Sequence, residues 1–396
     1  MRLWRAVGAL GRTREAAHSS DLGRYDPADR IRAMLILIVA FAVSLVMTLI
    51  AVRSAKAHAH LSHDHDLSGP QKFHAMPVPR IGGVGILAGT VAGALVLWGY
   101  DAPAGQQALL LLACGMPALV AGLAEDLTKK VSPSRRLLAT ALSALLAVWL
   151  LDAAIRHTAI PGLDWIVAFP VGAALVTVFA VTGVANSINI IDGFNGLASM
   201  CCVLILLCLA YVGFQVDDLL VAWLALAGVG ALLGFFVWNF PAGLIFLGDG
   251  GAYFMGFYLA EVAILLLHRN PTVSPMFPLL LCIYPVFETV FSIYRRRFLR
   301  AMPPSMPDGI HLHSLIYRRV MRWAVGNRSA KALTRRNSMT SPYLWLLCMF
   351  AAIPSVLFWD NTAVLAALIV VFGVSYVALY WRIVRFKSPR WMVFRR

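Results

Sequence analysis

The chain alternates long apolar runs with short polar loops. Eleven runs approach the ~20 residues that a helix needs to cross ~30 Å of hydrocarbon. They predict transmembrane helices at Ala33–Val52, Ile81–Trp98, Ala108–Ala124, Leu137–Leu151, Trp165–Val184, Leu197–Phe214, Leu219–Trp238, Ala252–Leu267, Met276–Tyr294, Tyr343–Trp359 and Thr362–Trp381. The predicted fold is therefore all-α, a polytopic membrane protein of about eleven transmembrane helices. A polar tail (residues 1–32) precedes the membrane domain (33–382), and a basic tail (383–396) follows it.

Composition supports the membrane assignment and narrows the partners. Hydrophobic residues make up 60% of the chain and charged residues 13%, whereas soluble domains average about 45–50% and about 25%. The net charge of +15 comes from residues in the loops between apolar runs, a pattern that indicates membrane orientation and contact with anionic phosphates. We expect a lipid bilayer and no nucleic acid as partners. The six cysteines fall within apolar runs without a CxxC pair, so neither a disulfide nor a zinc site is implied.

Charge asymmetry predicts which loops face the cytoplasm. With eleven spans, one set of loops and the C-terminal tail carry 25 of the 34 Lys and Arg residues, and the positive-inside rule places that set in the cytoplasm. The seven arginines of residues 1–32 break this pattern. Either the later loops overrule them or translation begins at Met34, and N-terminal sequencing of the purified protein distinguishes the two. All the polar motifs lie on the cytoplasmic side, which favours an enzyme of the cell inner membrane.

The strongest candidate site is the stretch from Asn186 to Gly196. Polar Asn186, Asn189, Asp192 and Asn195 recur every three residues, which places them on one face of a helical turn. At a membrane edge, such side chains need a ligand, a metal or water. The spacing therefore predicts a binding site.

Two earlier loops carry complementary charges. Lys72 and Arg80 stand beside a glycine cluster that opens a helix, an arrangement suited to phosphate, although a basic membrane anchor is the alternative. Glu125 and Asp126 end a predicted span and precede several cations. They suit magnesium binding or proton handling beside a phosphate, and a solvated helix-capping loop is the alternative.

Later loops add a third group of candidates. Asp249 lies between glycines just before a span, where it can bind a metal near a diphosphate or serve only as a helix cap. His311 and His313 lie near arginines including Arg297 and could clamp a diphosphate. Glu288 lies within a predicted span, so it is either a functional carboxylate or the partner of a nearby arginine.

Over roughly residues 70–320, these five loops in this order resemble the polyprenyl-phosphate N-acetylhexosamine-1-phosphate transferase family. The family includes bacterial undecaprenyl-phosphate GlcNAc-1-phosphate transferases and phospho-MurNAc-pentapeptide translocases. The resemblance implies transfer of a sugar 1-phosphate from a UDP-sugar to undecaprenyl phosphate, with release of UMP. Mg²⁺ is the implied cofactor, with Mn²⁺ as an alternative. GlcNAc is the expected sugar, in O-antigen or related glycan synthesis. GalNAc or a 6-deoxy-HexNAc is the alternative sugar.

The resemblance also implies roles for individual residues. Asp249 is the expected metal ligand, with Asn189 as its partner. The other implied roles are catalysis by Asp126, Glu125 and Asp192, binding of the acceptor phosphate by Arg135 and Lys72, and donor binding by Asn186, Asn195, His311, His313 and Arg297.

Departures from the family pattern narrow these expectations. Glu125 replaces an aspartate, Asn195 stands where many bacterial members have aspartate, and Ser314 follows the His-x-His. The three-histidine run typical of the translocase branch is absent, which disfavours the peptidoglycan precursor as donor.

The expected mechanism is a single displacement in which the ionised acceptor phosphate attacks and Asp126 removes any residual proton. The rival classes are a lipid-linked sugar transporter or flippase, which needs polar residues deep in several spans, and a binding-only descendant of the enzymes. The sequence is compatible with a homodimer but does not determine the oligomeric state.

Overall fold

The computed structural model describes residues 26–54, 78–299, 310–321 and 330–385. The helices of the first half are α1 Pro27–Ser54, α2 Gly82–Tyr100, α3 Ala102–Cys114, α4 Met116–Thr128, α5 Pro133–Leu151, α6 Leu163–Val167 and α7 Pro170–Ile191. Those of the second half are α8 Leu197–Gln215, α9 Leu219–Asn239, α10 Gly248–Arg269, α11 Met276–Leu281, α12 Ile283–Tyr294, α13 Leu312–Leu315, α14 Ala330–Leu357 and α15 Thr362–Val384. Short π-helical turns follow α12 (Arg295–Leu299) and α13 (Ile316–Val320).

The predicted class, an all-α multi-pass membrane protein, is confirmed. Across the described ranges, nine helices are long and apolar enough to cross a bilayer, and α3 with α4 makes a tenth if that bent pair is one span. Three of the predicted spans are interrupted in the structure, and one of them, Trp165–Val184, is divided between α6 and α7. The Ala108–Ala124 run bends by 41° where α3 meets α4, and Met276–Tyr294 is divided at Cys282. Pro285, in the first turn of α12, has no N–H to donate, which explains why helix α11 does not continue unbroken.

The first and last helices of the chain differ from the predicted segments in where they begin or end. Helix α1 begins at Pro27 and so includes the last part of the segment assigned to the polar tail. Asp29 in its first turn and Arg53 in its last match the helix dipole at both ends. Helix α15 continues to Val384, just past the predicted membrane domain.

Helix α10 is the central helix of the fold. In the most apolar 18-residue stretch of α10, 94% of the residues are buried. The corresponding fraction is 22% in α1 and 17% in α15. A β-carbon on Gly256 would lie 2.4 Å from Ala185 Cα, and one on Gly122 would lie 2.5 Å from Gly250 N. Helices α7 and α4 therefore pack against α10 at backbone distance, which only glycine permits.

The first turn of α10 is where the motif loops meet. Helices α4 and α7 end beside it, and α2 and α5 begin beside it. The segment before α2 pairs with the segment before α10, because Phe246 N donates to Pro79 O at 2.9 Å and Gly82 N donates to Phe246 O at 3.0 Å. The candidate residues of four loops are thereby gathered at one end of the helix bundle.

Candidate active site

Asp249, in the first turn of α10, is the residue on which the site converges. Its Oδ1 accepts from Asn189 Nδ2 at 2.8 Å and from Arg80 Nη2 at 3.3 Å. Its Oδ2 accepts from Arg136 Nη1. Asn189 comes from the end of α7 and Arg136 from the start of α5, while Arg80 immediately precedes α2. The sequence predicted the association of Asn189 with Asp249, and the structure brings these two side chains together.

The N-terminus of α10 is capped by a carboxylate from another helix. Asp126, near the end of α4 and 1% exposed, accepts from Asp249 N at 3.0 Å and from Gly250 N at 2.9 Å. Its Oδ1 also lies 3.3 Å from Arg80 Nε. Negative charge at a helix N-terminus is favoured by the helix dipole and by the free N–H groups there. Asp126 therefore holds α10 in place beside the site, and its predicted catalytic role stays a prediction.

Gly248 lets the capping carboxylate and the Arg80 segment approach α10. Its φ of +76° lies in the left-handed region, and a β-carbon there would lie 2.1 Å from Arg80 O and 2.6 Å from Asp126 Oδ2. Glycine is the residue that this backbone and this proximity allow. The glycine before Asp249 is thus required by packing.

Asp192 follows the end of α7 and takes part in the same charge cluster. The Gly248 N–H donates to its carboxylate. Loss of contact with water raises the pKa of the Asp192 carboxyl to about 7, and Arg80 opposes this rise. The charges of Asp249 and Asp126 raise the pKa further. Because its pKa lies near neutrality, Asp192 can change protonation when a cation or a phosphate binds nearby.

Asn186 lies one helical turn before Asn189 on α7. Its Oδ1 accepts from the hydroxyl of Tyr253 at 3.3 Å. The Tyr253 ring lies under the Arg136 guanidinium, 5.7 Å from its Cζ. Asn186 thus reaches the site through Tyr253, and its predicted donor contact is untested.

His311 is oriented by a buried carboxylate. His311 Nδ1 lies 2.9 Å from Glu288 Oε1, and the same oxygen accepts from Leu312 N at 3.2 Å. The other oxygen of Glu288 accepts from the Tyr376 hydroxyl at 2.6 Å. Glu288, fully buried on α12, is thus bonded to the histidine that precedes α13 and to a tyrosine of α15. The alternative prediction, pairing with a nearby arginine, is not what the structure shows.

His313 connects the histidine loop to the Asn186–Gly196 stretch. Its ring stacks on that of His311 with centroids 5.0 Å apart. It meets the edge of Phe194 at 5.4 Å, and a β-carbon on Gly193 would lie 3.8 Å from His313 Nε2. The two predicted donor-binding histidines therefore lie beside the loop that contains Asp192.

Arg295 supports the histidine loop, and the predicted donor-binding role of Arg297 is untested. Arg297 is exposed on its π-helical turn. Arg295 is buried and donates to the Tyr380 hydroxyl at 2.8 Å, and Tyr380 in turn donates to Ile310 O at 3.2 Å. Arg295 therefore supports the loop that carries His311. The sequence offered three adjacent arginines without a signal for which one turns inward.

Asn195 lies in a buried polar network. Its N–H donates to Asn337 Oδ1 at 2.8 Å, and its Nδ2 donates to Ser338 Oγ at 3.1 Å. Its carbonyl accepts from Ser341 Oγ at 2.6 Å. These contacts tie the loop after α7 to helix α14, and the predicted donor contact of Asn195 is untested.

Of the two predicted acceptor-phosphate residues, only Arg135 is among the described residues. Arg135 is exposed at the start of α5, whereas its neighbour Arg136 faces Asp249. Lys72 lies outside the described residues. Glu125 accepts from Val131 N at 2.7 Å and so shapes the loop between α4 and α5. Arg136 and Arg80 are the cations that the structure places in the site, and of these two Arg80 was recognised in the sequence.

The donor set is compatible with Mg²⁺ only when other ligands contribute. In the ranges that the structure describes, no group of three or more His, Cys, Asp or Glu side chains is arranged to hold a metal. Magnesium needs only one or two carboxylates when waters and substrate phosphates complete its shell. Asp249 and the nearby Asp192 would be the carboxylates of such a shell. The arginines bonded to Asp249 show that this carboxylate is already balanced by positive charge.

The chain is similar in sequence to known transferases. Residues 108–267 match the family described as glycosyl transferase family 4. The chain is 29% identical over 305 residues to a probable undecaprenyl-phosphate N-acetylglucosaminyl 1-phosphate transferase of Bacillus subtilis, covering 74% of this chain and 80% of that relative. It is 28% identical over 262 residues to an undecaprenyl-phosphate alpha-N-acetylglucosaminyl 1-phosphate transferase of Thermotoga maritima, covering 65% and 74%.

A shorter stretch of the chain matches the phospho-MurNAc-pentapeptide transferases. The chain is 44% identical over 91 residues to a phospho-N-acetylmuramoyl-pentapeptide-transferase of Streptococcus mutans, covering 22% of this chain and 26% of that relative. The resemblance indicated by the motifs is thereby confirmed, and it supports a transferase that acts on phospho-sugars.

Proposed function

We propose that this chain transfers an N-acetylhexosamine 1-phosphate from a UDP-sugar to undecaprenyl phosphate and releases UMP. GlcNAc is the proposed sugar, with GalNAc or a 6-deoxy-HexNAc as the alternative. The reaction is proposed as the first membrane step of O-antigen or related glycan synthesis, on the cytoplasmic face of the inner membrane. Mg²⁺ is the proposed cofactor, with Mn²⁺ as a substitute.

The observation that carries this proposal is the grouping of Asp249, Asp192 and Asn189 with Arg80 and Arg136 at one end of an apolar helix bundle. Carboxylates and an amide suit a hard cation, and guanidinium groups suit phosphate. The site lies at the ends of spanning helices, where a lipid-anchored phosphate and a water-soluble nucleotide can meet. The N-acetylglucosaminyl transferases among the relatives support the same reaction class.

In the proposed reaction, an oxygen of the acceptor phosphate attacks the phosphorus that carries the sugar. The new P–O bond forms as the bond to UMP breaks, which gives a polyprenyl diphosphate sugar and UMP. The acceptor is largely ionised near neutral pH because its second pKa is about 6. The protein must therefore bring two anions together more than it must activate a nucleophile.

Residues of this chain divide that task. Asp249, Asn189 and Asp192 would hold Mg²⁺, which when bound offsets the charge that develops on the leaving UMP. Arg80 and Arg136 screen the negative charges of the phosphates. The contact of Nδ1 with Glu288 fixes the orientation of the His311 ring. Asp126 accepts two backbone N–H groups, so its proposed part is to fix α10 under the phosphates.

The test is to incubate membranes containing the chain with undecaprenyl phosphate, Mg²⁺ and a panel of UDP-sugars, and to measure UMP. We expect release with UDP-GlcNAc or another UDP-HexNAc, dependent on both the lipid and the metal. Absence of release with every UDP-HexNAc would contradict the proposed activity. The lipid product of the active donor, identified by mass, assigns the sugar.

Sidedness has its own test. Ser134 is exposed in the first turn of α5, beside the site. With Ser134→Cys in intact cells, we expect a membrane-impermeant thiol reagent to label the protein only after the cells are opened. Labelling in intact cells would place the active face outside.

A further inference from the structure

Both carboxylate oxygens of Asp249 are already in use. Arg136 Nη1 bonds to Oδ2, and Asn189 Nδ2 and Arg80 Nη2 bond to Oδ1. A divalent cation at Asp249 would lie against two guanidinium groups and compete with them for the negative charge of one carboxylate. Like charges at such distances repel strongly in a partly buried site. This repulsion favours the departure of at least one arginine from Asp249 when a cation binds there.

Arg136 is better placed to leave than Arg80. Arg80 is bonded to a second carboxylate, since its Nε lies 3.3 Å from Asp126 Oδ1. In the described part of the chain, Asp249 is the carboxylate paired with Arg136, and Arg136 Nε is buried without a hydrogen-bond partner. Its guanidinium also lies over the Tyr253 ring. A planar cation on an aromatic face can slide without losing that contact entirely.

A displaced Arg136 would need another anion. A guanidinium that is mostly buried (its side chain is 13% exposed) is costly to leave without a counter-charge. A phosphate matches its fork of N–H groups, including the Nε–H that lacks a partner here. The site therefore contains a cation that a metal ion would release and a phosphate would accept.

We propose that Arg136 is an exchangeable partner of Asp249: it neutralises the carboxylate in the resting protein, and when a divalent cation is bound it moves to a substrate phosphate. This inference rests on the proposed function for the identity of the substrates. It makes metal and phosphate binding mutually reinforcing, because each removes a competitor of the other, and such coupling is reciprocal. The phosphate belongs either to the UDP-sugar or to the lipid acceptor.

The first experiment measures Mn²⁺ binding to the purified full-length protein by electron paramagnetic resonance, without substrate. Arg136→Gln removes the competing cation. We expect its Mn²⁺ dissociation constant to fall roughly tenfold, the size of one charge-assisted hydrogen bond. Arg135→Gln removes the same charge from the exposed neighbouring position and should leave Mn²⁺ affinity within about twofold of the unmodified protein. Equal effects of the two variants, or weaker binding in Arg136→Gln, would overturn the exchange.

Arg136→Lys guards against loss of folding in the glutamine variant. It keeps the charge but cannot form the planar fork, so we expect an Mn²⁺ affinity between those of the unmodified protein and Arg136→Gln. An affinity outside that interval would contradict the exchange. Thermal unfolding of each variant in detergent shows that the compared proteins are folded.

The second experiment locates the phosphate. In the unmodified protein, UMP or farnesyl phosphate should tighten Mn²⁺ binding. In Arg136→Gln, the effect of the phosphate that Arg136 accepts should disappear, while the effect of the other is retained. Retention of both effects would overturn the move to phosphate. If no UDP-sugar yields UMP but these Mn²⁺ responses hold, the proposed activity fails and the exchange stands.

Discussion

The imidazole of His311 is bonded to the carboxylate of Glu288 across 2.9 Å, between Nδ1 and Oε1. The two residues belong to different elements, α12 and the loop before α13, and neither is exposed. A carboxylate on Nδ1 fixes both the direction of the ring and the nitrogen that carries its proton. His311 therefore enters the site in one orientation.

Glu288→Gln should lower UMP-forming activity by about 10-fold to 100-fold, the range found when a partner that orients a histidine is removed. The amide can present an N–H to a ring nitrogen that needs an acceptor, so the ring turns or changes tautomer. Steady-state kinetics should show most of the loss in kcat. Tyr376→Phe keeps the Glu288–His311 bond and should have a smaller effect. Equal losses in the two variants would mean that the carboxylate does not act through His311.

Asp249→Asn should reduce turnover by at least about 100-fold, because a neutral amide cannot balance a metal charge or the arginines around it. Mn²⁺ binding should be lost in the same variant, and the protein should remain in the membrane fraction. Asp360→Asn, in an exposed position before α15, is the matched control and should keep both activity and Mn²⁺ affinity. Normal turnover in Asp249→Asn would show that the metal site lies elsewhere.

Asp126→Ala should lower the free energy of unfolding by about 2 kcal/mol, near the upper end for the loss of a helix cap. The reason is the pair of backbone N–H groups, on Asp249 and Gly250, that lose their acceptor. Scanning fluorimetry in detergent measures the change. Glu125→Ala removes one contact to a loop N–H and should cost less stability. An unchanged melting temperature in Asp126→Ala would contradict the capping role.

Mn²⁺ affinity should rise with pH between about 6 and 8. The pKa of Asp192 is raised to about 7, so below that pH the carboxyl is mostly protonated, and a cation must displace its proton. As pH rises through 7, the carboxylate forms without that cost and binding strengthens. Asp192→Asn should flatten this dependence. A pH profile of equal steepness in the variant would assign the titration to another group.

Gly122→Ala should destabilise the fold by about 1–3 kcal/mol, the usual cost of overpacking. Its β-carbon would lie 2.6 Å from Asp249 O and push α4 away from α10. Gly183→Ala on α7, where nothing lies within 4 Å of the new carbon, is the control. There alanine should be neutral or stabilise the helix by up to about 1 kcal/mol. The melting temperature should therefore fall in Gly122→Ala and stay unchanged or rise in Gly183→Ala.

The sequence was sufficient to predict the fold class, and the family resemblance implied the pairing of Asn189 with Asp249. Apolar runs and polar loops determine which residues reach the membrane edge, and alternation of the loops places the motifs on one side. Hydropathy alone treats Met276–Tyr294 as one continuous run, whereas Pro285 interrupts the helix there.

Position in the family motif favours Arg135 for the phosphate, whereas the phase of helix α5 favours Arg136 as the inward-facing arginine. Arg136 lies four residues before Thr140 and eight before Ala144, both on the buried face of α5. Helical phase would therefore have turned Arg136 inward and Arg135 outward. The predicted phosphate role of Arg135 is untested, but the structure places Arg136 beside Asp249.

Other contacts could not have been predicted from local pattern. Tyr376 meets Glu288 across 88 residues, and Asn337 meets Asn195 across 142. Such pairs depend on how α14 and α15 pack, and side chains of several types could serve at those positions. Long-range polar contacts are specified by the assembled fold rather than by spacing along the chain.

The segment matched by the family, residues 108–267, is not a portable module. The loop around Asn195 is fastened by α14, and the carboxylate behind His311 is fastened by α15, and both helices follow the matched segment. A chimera that imports this segment from a relative would separate the Asn195 loop from the α14 residues that shape it. Donor specificity should therefore transfer only when α14 is exchanged together with it.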